Sequence, residues 1–546
     1  MSNKLVKIAE ESAEGGFWLF LGNTSATFIS ALGAIVIARL LGPANYGLYS
    51  LSLTIPFLMA AIADFGVGPA LTRYSAKLRV ENKPLQLASM LKSGFLIKST
   101  IGCLLLIITL TFSSDLASWL LNRPEVIAYL TFASALILFQ AVFSAANSAL
   151  IGMDEMGDVS FMMVTQSIIK TLISPLLILV GLSVSGALLG HVSSVAVAAL
   201  LGTIFLFFKH YRGLRKNLEE ADVELENSLP AMINYGFPVY LAVLLTTFLA
   251  QYQNLVLAHF ASNKEIGNFN ASINFSALIS LIAFPISTVL FPAFSKTDPN
   301  RDNDSLKRMF TLTVKYASFL LVPSSVLVAL LSKEFISVTY GGRYTSAPLY
   351  LSVYMGIFLL TGLGYLILGN LFSGVGETKE TMNMALITVL TFLPSAPLMT
   401  KIFDVVGLII ALIASTLLGL IYGLLQAWRK YRLKIDALSE SRIYLAAGIA
   451  VAPTLAIIST TDLPALIKMG VGSALYLLAY LTVAALIEAI KKQDVTNLSQ
   501  ILSGIKIVNF VAKPILIYES HMLDLRQRLL KPSLVVKEAQ KGVTTA

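Results

Sequence analysis

Long apolar runs, separated by short polar segments, fill most of the chain. Each run has roughly the 20 residues that an α-helix needs to cross the hydrocarbon core of a bilayer. Barrel strands would instead alternate apolar and polar positions over about ten residues. The pattern therefore predicts an all-α integral membrane protein with about fourteen transmembrane helices. The approximate cores of the predicted spans are 17–40, 47–68, 90–112, 128–150, 161–181, 186–208, 235–258, 270–292, 309–331, 348–370, 382–400, 406–428, 442–460 and 467–489.

Two parts of the chain repeat one pattern about 220 residues apart. The matching positions are 35–40 with Gly47, Tyr49 and Ser52, and 255–260 with Gly267, Phe269 and Ser272, then Gly152 with Gly374 and Gly186 with Gly407. The spacing holds to within about two residues, which predicts two six-helix lobes on one plan and two extra helices after them. Duplicated membrane domains often bind their cargo between the copies, so the repeat indicates a transporter.

Lysine and arginine concentrate in alternate loops, whereas the intervening loops, predicted to lie outside, hold only Arg123, Lys264, Lys333, Arg343, Lys401 and Lys468. The positive-inside rule then predicts a cell-membrane protein with both termini in the cytoplasm. With six helices in each, the two lobes point the same way, so the repeat is parallel and not inverted. The predicted segments are 1–15 (cytoplasmic N-terminal segment), 16–210 (N-lobe), 211–230 (cytoplasmic linker), 231–430 (C-lobe), 431–490 (two extra helices) and 491–546 (cytoplasmic tail with an interfacial helix).

Composition agrees with a membrane location and excludes several functions. Charged residues make up 13% of the chain, against about 25% in soluble domains, so lipid must cover much of the surface. The net charge of +9 does not indicate nucleic-acid binding, because the basic residues lie in short loops beside the spans. Cys103 is the single cysteine, and neither a Walker motif nor a His/Glu metal cluster is present. We therefore expect no enzyme activity, no catalytic residue, no metal and no cofactor.

The charges inside the predicted spans are almost all basic. A buried charge is costly, so each of these residues suggests a function. Lysine and arginine bind phosphate or diphosphate, and side-chain amides suit the hydroxyl groups of sugars. The pattern predicts a cationic cavity that accepts an anionic cargo. The candidate substrate-binding residues are Lys98, Lys170, Arg39, Lys315, Asn23, Gln140, Gln166, Gln251 and Asn254.

Structural interpretations of the same residues stay open. Arg39 also fits a side chain that reaches the lipid head groups from a helix end. Amides such as Asn23 also fit hydrogen bonding between helices, and His191 fits packing near a helix end. Asp64 is expected to pair with Arg73 or Lys77 as a structural cap, in preference to coupling protons.

The first spans resemble a known family. The residues that carry the resemblance are Gly16-Phe17-Trp18, the run from Ile37 to Tyr49 (Ile-Ala-Arg-Leu-Leu-Gly-Pro-Ala-Asn-Tyr-Gly-Leu-Tyr), Ala63-Asp64-Phe65-Gly66, Ala70-Leu71 and Arg73. They are similar to the opening of the polysaccharide-biosynthesis flippases of O-antigen type, in the multidrug/oligosaccharidyl-lipid/polysaccharide exporter superfamily. The resemblance runs from about residue 15 to 490. It implies two lobes around a cavity that opens alternately to each side, and an oligosaccharide cargo on a polyisoprenyl phosphate or diphosphate.

The leading functional hypothesis is a lipid-linked oligosaccharide flippase. Its expected partners are that substrate, membrane lipids, and polymerases or glycosyltransferases of polysaccharide assembly, with no nucleic acid. One alternative is a multidrug or cation antiporter of the same superfamily, which needs a carboxylate deep in a lobe. Another is a non-transporting scaffold of an assembly complex. A membrane glycosyltransferase is disfavoured because no acid-rich loop is present.

Overall fold

A computed structural model describes residues 2–211, 228–276, 279, 294, 302–503 and 506–530. The predicted linker at 211–230, most of the predicted span at 270–292 and the end of the tail at 531–546 lie outside these residues. Within the described ranges nearly every residue is helical and none forms a β-strand. The prediction of an all-α membrane protein is confirmed.

The chain forms eighteen described α-helices of seven residues or more, joined by turns and short pieces of other helix types. They are α1 Ser2–Asp64, α2 Val67–Val80, α3 Pro84–Thr111, α4 Ile127–Ala133, α5 Ala135–Gly152, α6 Met156–Leu177, α7 Ser183–Ile204, α8 Ser228–Phe260, α9 Asn263–Asn274, α10 Asn303–Leu330, α11 Ser332–Thr339, α12 Ala347–Tyr354, α13 Leu368–Gly374, α14 Thr378–Tyr431, α15 Ala437–Thr460, α16 Ala465–Leu486, α17 Lys492–Ser503 and α18 Lys506–Leu530.

Eight helical stretches among the described residues are long and apolar enough to cross a membrane, or nine if one bent pair counts as a span. Three of them, Gly15–Asp64, Met156–Tyr211 and Thr378–Tyr431, have 50, 56 and 54 residues. Since about 20 residues cross a bilayer, each of the three is long enough to cross twice. Each also contains a non-helical break, for example at Gly42, where φ is 73°. The count of fourteen spans stays a prediction.

The chain divides into two compact units. The first comprises Met1–Ala277, Thr339–Tyr350 and Val389–Leu412, and in it α1 packs along α6 and α9. The second comprises Leu278–Val338, Leu351–Thr388 and Ile413–Ala546. The predicted boundaries of the two lobes stay a prediction.

Glycines matched in the sequence repeat have matching surroundings. Gly47 and Gly267 face each other where α1 crosses α9. A Cβ on Gly47 would lie 1.9 Å from the carbonyl oxygen of Asn263, and one on Gly267 would lie 1.8 Å from that of Pro43. The two backbones therefore approach as closely as only glycine allows. The sequence repeat thus corresponds to a reciprocal contact in the first unit.

Replacing Gly47 with alanine should destabilise the protein by about 1–3 kcal/mol, because the added methyl group overlaps backbone that cannot move aside. The measurement is the free energy of unfolding in a mixed-micelle denaturant titration. Gly448→Ala is the matched control, since nothing lies within 4 Å of a Cβ at this helical position. Equal stability of the two variants would contradict the close crossing.

The tail helix α18 packs against α16 in the second unit. Leu516 and Leu523 are buried there, and the hydroxyl groups of Tyr518 and Thr482 lie 2.8 Å apart. Glu519 is buried on the same face, 1% exposed. Neither of its carboxylate oxygens has a hydrogen-bond partner among the described residues. Burial raises the pKa of Glu519 to about 8, because an apolar environment disfavours the charged form.

This burial predicts a pH dependence of stability. The unfolded chain releases the Glu519 proton near pH 4.5, the ordinary value, while the folded protein keeps it to about pH 8. The folded state therefore loses stability as the pH rises between these two values. Glu519→Gln should match the parent protein near pH 5 and be more stable near pH 9, measured by thermal unfolding in detergent. Asp524→Asn, which removes a surface carboxylate of the same helix, should change the profile little. Parallel profiles of Glu519→Gln and the parent protein would refute the assignment.

Candidate functional site

A cavity of about 430 Å³ lies in the first unit between α1, α6 and α7. A second cavity of about 220 Å³ shares Ala34, Lys170, His191 and Asn274 with the first, so the two adjoin. Together they form one continuous region, which we call the central cavity.

Helical spacing explains why these side chains share one space. On α6 the lining residues are Met163, Gln166, Ser167 and Lys170. The last three follow Met163 by three, four and seven positions, which places all four on one face of the helix. The facing stripe of α1 carries small residues, which leave room for the long side chain of Lys170. That stripe is formed by Asn23, Ala26, Thr27, Ser30, Ala31 and Ala34.

Hydrogen bonds hold the polar wall of the central cavity in place. The Tyr49 hydroxyl lies 3.0 Å from Nδ1 of His191. Asn274 donates to the Tyr46 hydroxyl at 2.8 Å, and Asn270 donates to Asn254 at 3.1 Å. Side chains fixed in this way present preorganised donors and acceptors to a cargo.

The charge of the central cavity is positive. Lys170 is its one lysine among the described lining residues, and no carboxylate lines it there. Within the described ranges the Lys170 ammonium makes neither a hydrogen bond nor an ion pair. An ammonium group without a protein partner has three donors available to an anionic ligand. The arrangement is therefore suited to bind an anion.

Two other intramembrane lysines are neutralised. Lys98 is fully buried, and its Nζ lies 2.6 Å from Oδ2 of Asp64 and 2.7 Å from the Ser144 hydroxyl. Asp64 also accepts from the backbone N–H of Gly68 at 3.2 Å. In the second unit, Nζ of Lys315 lies 2.5 Å from Oδ2 of Asp494. A buried charge with a close counter-ion is satisfied by the protein itself.

The structure brings five of the nine predicted binding residues into the central cavity, namely Asn23, Gln166, Lys170, Gln251 and Asn254. The other four, Lys98, Lys315, Arg39 and Gln140, are not among its described lining residues. The first two lie in the ion pairs, Arg39 is exposed and Gln140 is half-buried. The binding role of all nine stays a prediction.

Sequence reasoning missed His191, Tyr46 and Tyr49 as lining residues. A histidine near a predicted helix end gives no sign of facing a cavity, because the residues that line the cavity with His191 lie on other helices. The partner of Asp64 was also missed. Lys98 lies 34 residues further along the chain, and no local spacing rule connects the two residues.

One described group of side chains has the composition of a metal site. Ligand atoms of Glu155, Asp158 and His210 lie within 4.8 Å of one another. The Nζ of Lys209 is 2.7 Å from Asp158 and 3.5 Å from Glu155. Its ammonium group already pairs with both carboxylates, so we interpret the group as an ion-pair network.

Comparison with known proteins decides the family. The sequence model described as polysaccharide biosynthesis protein matches residues 12–298, and the model described as lipid II flippase MurJ matches residues 156–480. The chain belongs to the polysaccharide biosynthesis protein family. Its match to the second model places it, as the sequence predicted, among the polysaccharide and oligosaccharide flippases.

Curated relatives agree. The lipopolysaccharide biosynthesis protein WzxC of Escherichia coli (strain K12) is 24% identical, covering 66% of this chain and 69% of its own length. The probable low-salt glycan biosynthesis flippase Agl15 of Haloferax volcanii is 19% identical, covering 73% and 80%. The multidrug export protein MepA of Staphylococcus aureus (strain N315) is 27% identical, covering 71% and 87%. Their names describe a biosynthesis protein, a probable flippase and a multidrug export protein.

Solved structures show the same fold. A lipid II flippase MurJ in an inward closed conformation superposes with a TM-score of 0.68 at 17% identity, covering 84% of this chain and 97% of that one. An inward-facing multidrug resistance transporter of the MATE family superposes with a TM-score of 0.63 at 16% identity, covering 74% and 94%. The all-α membrane fold of this family is thereby established for the chain.

The buried ion pair predicts that the stability of the protein depends strongly on Asp64, the partner of Lys98. Asp64→Asn should cost about 3–5 kcal/mol of stability, because it leaves a buried ammonium without a counter-ion. The double variant with Lys98→Met should recover much of the loss, measured by denaturant titration in mixed micelles. Asp154→Asn, which breaks an exposed pair with Arg79, is the control and should cost about 0–1 kcal/mol. A double variant no more stable than Asp64→Asn would contradict the pairing.

Proposed function

We propose that the protein is a flippase that moves an oligosaccharide linked to a polyisoprenyl phosphate or diphosphate across the cytoplasmic membrane. The observation that carries the proposal is the Lys170 ammonium. This ammonium group faces a cavity lined by amides, and it has no counter-ion in the described part of the chain. The chain is also a member of the polysaccharide biosynthesis protein family.

The chemistry of the cavity supports this cargo. The phosphate or diphosphate oxygens bind Lys170 through charge-assisted hydrogen bonds. Gln166, Asn254 and Asn270 offer both donors and acceptors to the sugar hydroxyl groups. The polyisoprenyl tail stays in the lipid, since it gains nothing from a polar cavity.

The transport cycle follows from the predicted repeat. Two similar lobes rock about the central cavity and expose it in turn to each side of the membrane. Both termini lie in the cytoplasm, where the head group enters, according to the distribution of lysine and arginine. Polymerases or glycosyltransferases of the same assembly act before and after this step.

A multidrug exporter is the second candidate, because MepA is also a relative. An exporter of cationic drugs needs an acidic group that faces its cavity. Asp64 is the carboxylate that comes closest to meeting this requirement, but it is already paired with Lys98. The charges of the described cavity therefore favour an anionic cargo.

Deleting the gene should leave undecorated lipid-linked sugar on the cytoplasmic leaflet, measured by accessibility of the sugar to an added glycosidase. Complementation with Lys170→Gln should lower the translocation rate by about tenfold or more, because a charge-assisted hydrogen bond to the cargo is lost. Lys92→Gln, on an exposed lysine of α3, is the matched control and should complement fully.

Three outcomes would decide against this function. Normal translocation after deletion, in a strain without a paralogue, would exclude the flippase. Drug efflux that depends on Asp64 would favour the exporter. Full complementation by a variant that neutralises both Lys98 and Lys170 would favour a scaffold.

A further inference from the structure

Arg123 binds the end of a helix that lies far from it in the chain. Its Nε donates to the carbonyl oxygen of Ala258 at 3.1 Å, and its Nη2 donates to that of Ala261. These carbonyls lie at the C-terminal end of α8, where the last four carbonyls of a helix lack partners within it. The guanidinium also faces the negative end of the helix dipole. Glu125 adds to the contact by accepting from Asn263 at 3.3 Å.

Arg343 makes the corresponding contact in the opposite direction. Its Nη2 donates to the carbonyl oxygen of Arg39 at 2.6 Å, just before α1 breaks at Gly42. The next residue, Tyr344, is buried and donates its hydroxyl hydrogen to the carbonyl of Ala38 at 2.5 Å. The break exposes carbonyls at this point, and the two side chains satisfy them.

The two contacts are related by the sequence repeat. Arg343 follows Arg123 by 220 residues. Ala258, which accepts from Arg123, follows Ala38 by the same 220 residues, and Ala38 accepts from Tyr344, the neighbour of Arg343. Each arginine belongs to one predicted lobe and binds a helix end of the other. Both contacts lie inside the first compact unit, beside the crossing of Gly47 and Gly267.

This end of the central cavity is tightly packed. Ile37, Tyr46, Leu257, Tyr340 and Tyr344 are each at most 5% exposed. The lining residues of α1 begin at Asn23 and reach Tyr46 and Tyr49 beside the break. The arginine contacts therefore lie at the boundary between the cavity and the side of the membrane that the charge distribution assigns to the exterior.

We infer that Arg123 and Arg343 form a reciprocal latch that holds the outer end of the cavity shut. The inference rests on the proposed function and on the predicted lobes. Separation of the lobes at this end breaks both contacts together, because each joins one lobe to the other. Hydrogen bonds to a charged guanidinium are strong enough to bias a two-state equilibrium and weak enough to break in each cycle.

The latch predicts which substitutions open the cavity to the outside. The reporter is a cysteine at Ala34, which lines both parts of the cavity, in the full chain with Cys103→Ser. A membrane-impermeant maleimide is added to intact cells, and the labelling rate is measured. Arg123→Gln and Arg343→Gln should each raise this rate about tenfold, because each removes charge-assisted bonds of the closed state. Lys333→Gln, on an exposed lysine of a predicted outer loop, should leave the rate unchanged.

The outcomes separate the latch from the flippase. Unchanged labelling in both glutamine variants, with the thermal stability and detergent elution of the parent protein, would overturn the latch. An increase in only one variant would overturn its reciprocity. Should the glutamine variants fail to fold, Arg123→Lys and Arg343→Lys keep the charge but lose the fork, and an unchanged rate in both would overturn the latch as well. The labelling rate reports the conformation of the cavity and not transport. The deletion assay can therefore contradict the flippase while the labelling supports the latch, and it can support the flippase while the labelling contradicts the latch.

Discussion

The cost of a charge away from water governs this structure. Lys98, Lys170 and Lys315 lie inside apolar spans of the described chain, and each must find a counter-ion or a polar space. Lys98 and Lys315 have carboxylates within hydrogen-bond distance, at 2.6 and 2.5 Å. Lys170 instead faces a cavity lined by amides, hydroxyls and an imidazole. The same physical requirement thus produces two structural ion pairs and one candidate binding group.

The space in front of Lys170 depends on small residues. The α1 face opposite Lys170 carries alanine, serine and threonine, and a larger apolar side chain there would fill the cavity. Close to it, Gly47 and Gly267 allow the helices to approach backbone to backbone. An open space and a tight crossing therefore lie near each other on one helix, and side-chain size alone separates them.

Carbonyl groups at helix ends impose the second constraint. A helix that stops or breaks leaves carbonyls without partners inside the helix, and side chains can satisfy them. Here arginines do so at the end of α8 and at the break in α1. Because the sequence pattern is repeated, an arginine contact of this kind occurs twice, and the arginine of each copy binds carbonyls of the other copy. The need of carbonyls at a helix end for hydrogen-bond donors thus connects segments that are far apart in the chain.

The class of the protein, its repeat and the types of residue in the site could be predicted from the amino-acid sequence. Apolar runs, matched glycines and intramembrane lysines are properties of local composition and spacing, so they are visible without coordinates. Which lysine is paired and which faces the cavity became visible when the helices were seen packed together. Asp64 and Lys98 are 34 residues apart, and Lys170 and Asn274 more than a hundred. Such distances are set by how helices pack, and the free energy of a charge depends on what surrounds it and not on its neighbours in the chain.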